Sequence, residues 1–419
     1  MMKVSFNNIC GFFRNHEKST LIVLFVITLL LRAVHVAYVY QQNGTAKWGD
    51  DWLYLEMGKQ IAAGDWTPAT IDQPYMIVGP MIPVLIAICY KIFANPILPF
   101  FLYNIATTSL IIIVIYYFGK NMFSRNIGWL LAFWGIFNVD HFRYNPHLLK
   151  EPTVLLLLPL TLLFLLKASK NTHKTLNLLF SSIAFALLIH SDERYLLYLP
   201  IFFLGYLIID SGELLKKSYF AGLWIGFVFV LMVPWTIRNY HEFKQVVIIS
   251  PRTTVITSKL WGKQLVNMSF EKKNIETKDR YYNTRIDFEK KYGTVPRKYG
   301  KIESYFRAFI NYWQPTYFTP TYIQDGLRPQ KWSKTHNIFG LFFYGIYLPF
   351  YILGIIEFIK NKYKAGIFIS LIPIFHSILH TYMIWPLERY RSPMNFIVVM
   401  IGLSQIIRLF KISTIKLKK

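Results

Sequence analysis

The sequence predicts an all-α polytopic membrane protein, with about ten transmembrane helices, one interfacial or re-entrant helix and one long extracytoplasmic loop. Three observations predict it. The 419 residues are 54% hydrophobic and 18% aromatic, with mean hydropathy +0.33, too apolar for a soluble chain of this length. Apolar runs of roughly 16–22 residues recur along the chain. The short segments between them alternate between lysine-rich and mixed acidic, histidine and arginine character, as the two sides of a membrane do. The formal charge of +24 raises nucleic acid as a partner. Lys and Arg sit at span ends and in one long loop, however, and no nucleic-acid motif accompanies them. Basic cytoplasmic flanks and anionic headgroups account for the charge, so no nucleic-acid partner is expected. Two cysteines, Cys10 and Cys89, imply no disulfide framework.

Taken in order, residues 1–20 carry Lys3, Arg14 and Lys18 and are expected inside. Residues 21–40 form the first outward span; the run is long and no small-residue cleavage site follows, so a retained helix is expected. A first extracytoplasmic loop, 41–78, holds Gly49-Asp50-Asp51-Trp52-Leu53-Tyr54 and closes on Gly64-Asp65-Trp66. Residues 76–94 are apolar but contain Gly79, Pro80, Pro83 and Lys91. If this stretch does not cross, Lys120 and Arg125, then Lys167, Lys170 and Lys174, Lys216 and Lys217, and Lys360, Lys362 and Lys364 all fall inside with the tail; if it crosses, all fall outside. The positive-inside rule favours the first arrangement, and 76–94 becomes the interfacial or re-entrant helix. Further spans follow at about 97–118, 127–139, 152–166, 175–190, 195–209, 219–236, 338–359, 365–385 and 393–410. Three regions result: an N-terminal bundle, 1–236; a basic, tyrosine-rich extracytoplasmic loop or lid, 237–337, with helical spacing from Tyr299 to Tyr312; and C-terminal helices with a cytoplasmic tail, 338–419.

In this topology the outer ends of the spans gather mixed charges while the inner ends gather lysines. The outer set is Asp50 and Asp51; Asp140 to Pro152, with His141, His147, Lys150 and Glu151; Asp192, Glu193 and Arg194; Arg238; and Arg389 and Arg391. Each has a plainer reading. Asp50 or Asp51 suits a helix N-cap, Glu151-Pro152 a helix start, Asp192-Glu193-Arg194 a salt-bridged turn, Arg238 a C-terminal cation, and Arg389 and Arg391 headgroup contacts. His141 and His147 with Glu151 suggest a metal site, at a spacing that is not diagnostic. Convergence of all of them on one face points to a site.

These stretches resemble the C superfamily of membrane glycosyltransferases, in particular the family-39-like members that include protein O-mannosyltransferases and the lipid A aminoarabinose transferase. Asp50-Asp51-Trp52-Leu53-Tyr54 through Gly64-Asp65-Trp66 is similar to the acidic motif of the first extracytoplasmic loop. Residues 79–93 resemble the following Pro- and Gly-bearing helix, and Leu149-Lys150-Glu151-Pro152-Thr153 the second acidic motif. Pro234-Trp235-Thr236-Ile237-Arg238-Asn239-Tyr240, with Ile249-Ser250-Pro251-Arg252 and Leu260-Trp261-Gly262, is the fullest match; Arg389-Tyr390-Arg391-Ser392-Pro393 resembles the late arginine motif. The second acid is Glu where many relatives have Asp, and the usual Pro-Pro-Gly reads Val78-Gly79-Pro80-Met81. The pattern closes on the arginine motif, where longer members continue into further spans and a soluble domain, which leaves the acceptor open.

The resemblance implies transfer of a sugar from a polyprenyl-phosphate donor to a glycan, lipid or protein acceptor on the extracytoplasmic face of the cell membrane, with inversion. It assigns Asp50 as base, with Asp51 in reserve, and Glu151 to orient the acceptor or hold a divalent metal ion if there is one. Arg389, Arg391 and Arg238 would clamp the phosphate. Tyr54, His147, Lys150, Asp192 and Arg194 complete the substrate-binding set. A transporter or lipid flippase would also place charges within the membrane, but near its midplane rather than on one face; a non-enzymatic scaffold would make the acidic pair dispensable.

Overall fold

The computed structural model describes residues 16–43, 49–66, 78–170, 173–243, 246–250, 334–383 and 388–410, together with Phe306, Phe309, Ile310, Tyr312, Trp313 and Pro315. Most of the expected 237–337 lid, the Tyr299–Tyr312 helix apart from its last residues, the Pro251-Arg252 and Leu260-Trp261-Gly262 motifs and the tail lie outside the described residues. The described residues form α-helices and 3-10 turns without a strand. They run α1 (Glu17–Asn43), α2 (Gly49–Ala62), α3 (Met81–Phe93), α4 (Ile97–Met122), α5 (Arg125–Phe137), α6 (Val139–Arg143), α7 (Glu151–Ser169), α8 (Lys174–Ser191), α9 (Leu199–Ile209), α10 (Leu214–Phe243), α11 (Lys334–Phe343), α12 (Leu348–Lys360), α13 (Lys364–Met383), α14 (Glu388–Arg391) and α15 (Asn395–Leu409).

Eight helical spans among the described residues are long and apolar enough to cross a membrane, so the chain is a multi-pass membrane protein. They cover the expected spans except 127–139 and 195–209. Those two are shorter pieces, α5 with 13 residues and α9 with 11. At 1.5 Å per residue α5 is about 20 Å long, under the ~30 Å hydrocarbon thickness, and α6 follows it after the extended Asn138. The 3-10 turn Glu193–Tyr198 runs directly into the start of α9.

Local chemistry sets the breaks. Ser124 caps α5 by accepting from Ile127 N. Asn138 ends α5 in an extended conformation and caps α6, its Oδ1 accepting from Asp140 N at 2.8 Å. Glu151 and Pro152 open α7, where proline's missing N–H is harmless and a carboxylate suits the dipole. Asp192 ends α8 and accepts from Arg194 N.

The bundle has two chemically distinct ends. At one, Glu17 of α1 binds Lys120 at 2.6 Å and Arg125 at 3.0 Å, Lys174 binds Asp210, and the Tyr363 hydroxyl donates to Met122 O. At the other end of the same helix pair, Tyr40 of α1 meets Phe101 of α4 edge-on at 6.3 Å. Helices α1 and α4 are therefore antiparallel, and the chain between Asn43 and Ile97 returns to the end from which it left. Helix α3 makes no net crossing, as the charge pattern expected of 76–94. It packs on α2, and Gly79 just before it lies so close to α8 that a Cβ there would meet His190 O at 2.3 Å.

Candidate active site

The loop between α6 and α7 is held from two sides. Asn104 of α4 donates to Asn145 O and His147 O, and the Thr108 hydroxyl donates to Asn145 Oδ1. From α2, Asp51 accepts from Leu148 N at 3.1 Å through Oδ1 and from His147 Nδ1 at 2.9 Å through Oδ2. With its side chain 4% exposed, Asp51 is a buried tether between α2 and this loop. Its neighbour Asp50 faces the other way, with a side chain 42% exposed.

Asp50 Oδ2 accepts from Arg389 Nη2 at 2.5 Å, and Arg389 Nε lies 3.5 Å from Glu151 Oε1. One guanidinium thus touches two carboxylates from helices a hundred residues apart. Their separation is inside the roughly 10 Å over which two groups can act on one reacting centre. Glu151 is buried, and its Oε2 has no hydrogen-bond partner among the described residues. Tyr390 sits between two cations: Arg389 donates to its hydroxyl at 3.2 Å, and the Arg194 guanidinium lies 4.1 Å from its ring centroid.

Asp192 occupies the far side of this aromatic ring. It binds Arg194 through both oxygens and Lys150 Nζ at 3.1 Å. Burial alone would raise its pKa, but Arg194 and Lys150 hold the carboxyl well below the usual range. Tyr54 is also buried here; burial, then Asp50, Glu151, Glu193 and Asp192, push its phenol well above its ordinary value. Lys150, Glu151, Asp192, Arg194, Arg389 and Tyr390 share the lining of a cavity of about 10 Å³, room for about one water. Val154, Tyr195, His376, His380 and Pro393 complete it.

Two expected residues stand apart from this cluster. Arg391, 1% exposed, donates to Tyr312 O at 3.0 Å and lies over the Tyr344 ring at 4.1 Å. Two residues along one helical turn point to opposite sides, so Arg389 and Arg391 do not form a paired clamp here. Arg238 lies over Trp235 at 4.7 Å, donates to Asn239 Oδ1 and feels the carboxylates of Glu242 and Asp65. Its motif fastens the segment after α10. Trp235 Nε1 donates to Ile249 O, Thr236 to Ile248 O, and Asn239 Nδ2 to Val247 O and Ile249 O.

His376 and His380 went unmarked in the sequence, although polar residues four apart in an apolar span are a recognisable signal. His376 Nε2 donates to Tyr390 O at 2.6 Å, its Nδ1 pairs with the Tyr198 hydroxyl, and the His380 ring packs on Tyr390 at a tilt, 4.8 Å between centroids.

The residues do not fit a metal site. Among the described residues no three of His, Cys, Asp and Glu converge as ligands. His147 is spent on Asp51, and His141 lies buried against Gly135 O and Arg32. Arg389 already stands between the two carboxylates that a cation would bridge.

Residues 72–237 match the family model described as dolichyl-phosphate-mannose-protein mannosyltransferase. No curated protein matches the chain by sequence. Among solved structures, the chain is similar to the archaeal oligosaccharyltransferase AglB from Archaeoglobus fulgidus, in complex with an inhibitory peptide and a dolichol-phosphate. The TM-score is 0.59 and the identity 12%, covering 96% of this chain and 53% of that one. The same oligosaccharyltransferase with Zn and sulfate matches at 13% identity and TM-score 0.56, over 92% of this chain and 50% of that one. ArnT from Cupriavidus metallidurans in the apo state matches at TM-score 0.52 and 13% identity, over 85% of this chain and 54% of that one. The chain spans about half the length of these structures. The resemblance to the family-39-like glycosyltransferases of the C superfamily is thereby borne out: the chain has the fold of these membrane transferases, and residues 72–237 carry the mannosyltransferase pattern.

Proposed function

We propose that the protein is a membrane glycosyltransferase that moves a sugar from a polyprenyl-phosphate donor to an acceptor hydroxyl or amine on the extracytoplasmic face, with inversion. The observation that carries this reading is the Asp50–Arg389–Glu151 cluster at one end of the bundle, in a chain with the fold of lipid-linked sugar transferases. The AglB structure contains a dolichol-phosphate, which supports a lipid-linked donor here.

Asp50 accepts the acceptor's proton as its oxygen or nitrogen attacks the anomeric carbon. The bond from that carbon to the phosphate oxygen breaks on the opposite face, so configuration inverts and polyprenyl phosphate leaves. Arg389 neutralises the charge gathering on the departing phosphate, a donor whose planar geometry matches it. Glu151 orients Arg389 and the acceptor from the buried side. Lys150, Asp192 and Arg194 form a rigid charged wall behind Tyr390, so that Arg389 is held by packing as well as by charge. Because Arg389 occupies Asp50 in the absence of donor, binding of the donor phosphate draws the guanidinium from Asp50 and frees the base. Asp51 keeps its place as a tether, and Arg391 acts through Tyr312 and Tyr344 rather than on phosphate.

The test uses the purified full chain in lipid nanodiscs with radiolabelled polyprenyl-phosphate sugars. Release of polyprenyl phosphate that depends on Asp50, together with new glycans found by mass spectrometry in cells carrying the protein, is expected. Movement of intact lipid-linked sugar between leaflets with no release would establish a flippase instead.

A further inference from the structure

We propose that Arg389 stands where a divalent cation would otherwise bridge Asp50 and Glu151, so that this chain transfers sugar without a metal ion. The proposal rests on the transferase reading above.

The geometry carries it. Arg389 Nη2 is 2.5 Å from Asp50 and its Nε 3.5 Å from Glu151, so the guanidinium fills the space between the two acids most suited to holding a cation. Arginine stays protonated at any working pH, so this charge is permanent. A divalent ion seeks about six oxygen ligands at 2.0–2.6 Å and would have to enter against that charge. The other acid of the cavity is committed: Asp192 is saturated by Arg194 and Lys150. Tyr390 packs against the arginine, its ring centroid 5.0 Å from the guanidinium, and fixes its direction. A guanidinium at this place performs the electrostatic part of a metal's work, stabilising a leaving oxyanion.

The experiment measures Mn²⁺ binding to the full chain in detergent, by loss of the free-ion paramagnetic resonance signal, beside sugar transfer. Wild type and the Asp50→Asn/Glu151→Gln double variant are expected to bind the same number of Mn²⁺ ions. Arg389→Ala is expected to bind one ion more and to lose it again when Glu151→Gln is added. Wild-type transfer is expected to survive chelation within about twofold, while Arg389→Ala falls and Mn²⁺ restores it by about tenfold. A wild-type Mn²⁺ ion that the double carboxamide variant lacks would overturn the proposal. So would transfer abolished by chelator and restored by Mn²⁺, or a folded Arg389→Ala protein with no added site. If Arg389→Ala does not fold, the wild-type comparison still decides. If no transfer occurs under any condition, the transferase reading fails, while the Mn²⁺ titration still judges the guanidinium.

Discussion

Asp50 and Asp51 are chain neighbours with opposite surroundings, and their substitutions should separate chemistry from stability. Asp50→Asn keeps shape and size but cannot take a proton, so transfer should fall by about 10²–10⁴-fold with an unchanged unfolding temperature. Asp51→Asn weakens two buried hydrogen bonds, to Leu148 N and His147, and should cost about 1–3 kcal/mol of stability. Its folded fraction should retain turnover; Asp51→Asn activity falling as far as that of Asp50→Asn, without loss of fold, would reverse the assignment. Asp192 supplies a pH signature. Its folded pKa lies well below the ordinary value near 4, so its contribution to stability is present above that value and is lost as pH falls through the folded one. Unfolding temperature in detergent should therefore drop as pH is lowered from about 5 to about 3, and Asp192→Asn should lack that part of the slope. Asp50, Glu151 and Arg389 were legible in the sequence because each is a charge on the expected outer face, in a stretch that resembles a family motif. The choice between Asp50 and Asp51 was not, because it depends on which carboxylate meets a loop a hundred residues away.

At the scale of elements, α14 divides two arginines between two jobs. Arg389 faces Asp50 and Glu151, whereas Arg391 props Tyr312 and Tyr344 behind them. Arg389→Ala should weaken donor use, since a phosphate loses a charge-assisted contact of about 1.5–3 kcal/mol. Arg391→Ala should instead lower the unfolding temperature by emptying a buried site, with the donor KM unchanged in the protein that folds. A raised donor KM in Arg391→Ala at full stability would restore the paired clamp. The sequence presented the two arginines alike, since a motif shows spacing and not the rotation of a four-residue helix. The Pro234–Tyr240 motif has a structural job that its spacing did not show. Its Arg238 was expected on the phosphate, whereas Trp235, Thr236 and Asn239 beside it hold the carbonyls of residues 247–249. Helix boundaries were readable where a cap or proline marks them, as at Ser124, Asn138 and Pro152. The 3-10 turn after Asp192 carried no periodic signal, so one span was read longer than the helix that forms.

For the whole molecule the decisive question is which end faces the cytoplasm, because a lipid-linked donor and its acceptor meet on one side only. The two ends differ in charge. Glu17, Lys120, Arg125, Lys174 and Asp210 pair at one, while Asp50, Glu151, Asp192 and Arg389 gather at the other. The antiparallel α1–α4 pair accounts for the returning chain between them, which the lysine pattern anticipated from loops alone. The surplus of lysine at the first end predicts that this end faces the cytoplasm, by the rule that short basic loops are not translocated. Helix α10 then offers the sharpest test. Its 30 residues, at 1.5 Å each, reach about 45 Å, enough to cross the bilayer in one piece. Lys216 and Lys217 at its start should therefore lie inside, and the segment that follows Phe243, up to residue 337, outside. Reporters fused after Lys217 and after Lys291 should give opposite signals, an enzyme active only in the cytoplasm marking the first and one active only outside marking the second. A cytoplasmic signal at Lys291 would put the Asp50–Arg389–Glu151 cluster on the same side as the basic loops. It would leave the orientation of the donor, and with it the extracytoplasmic transfer, without support.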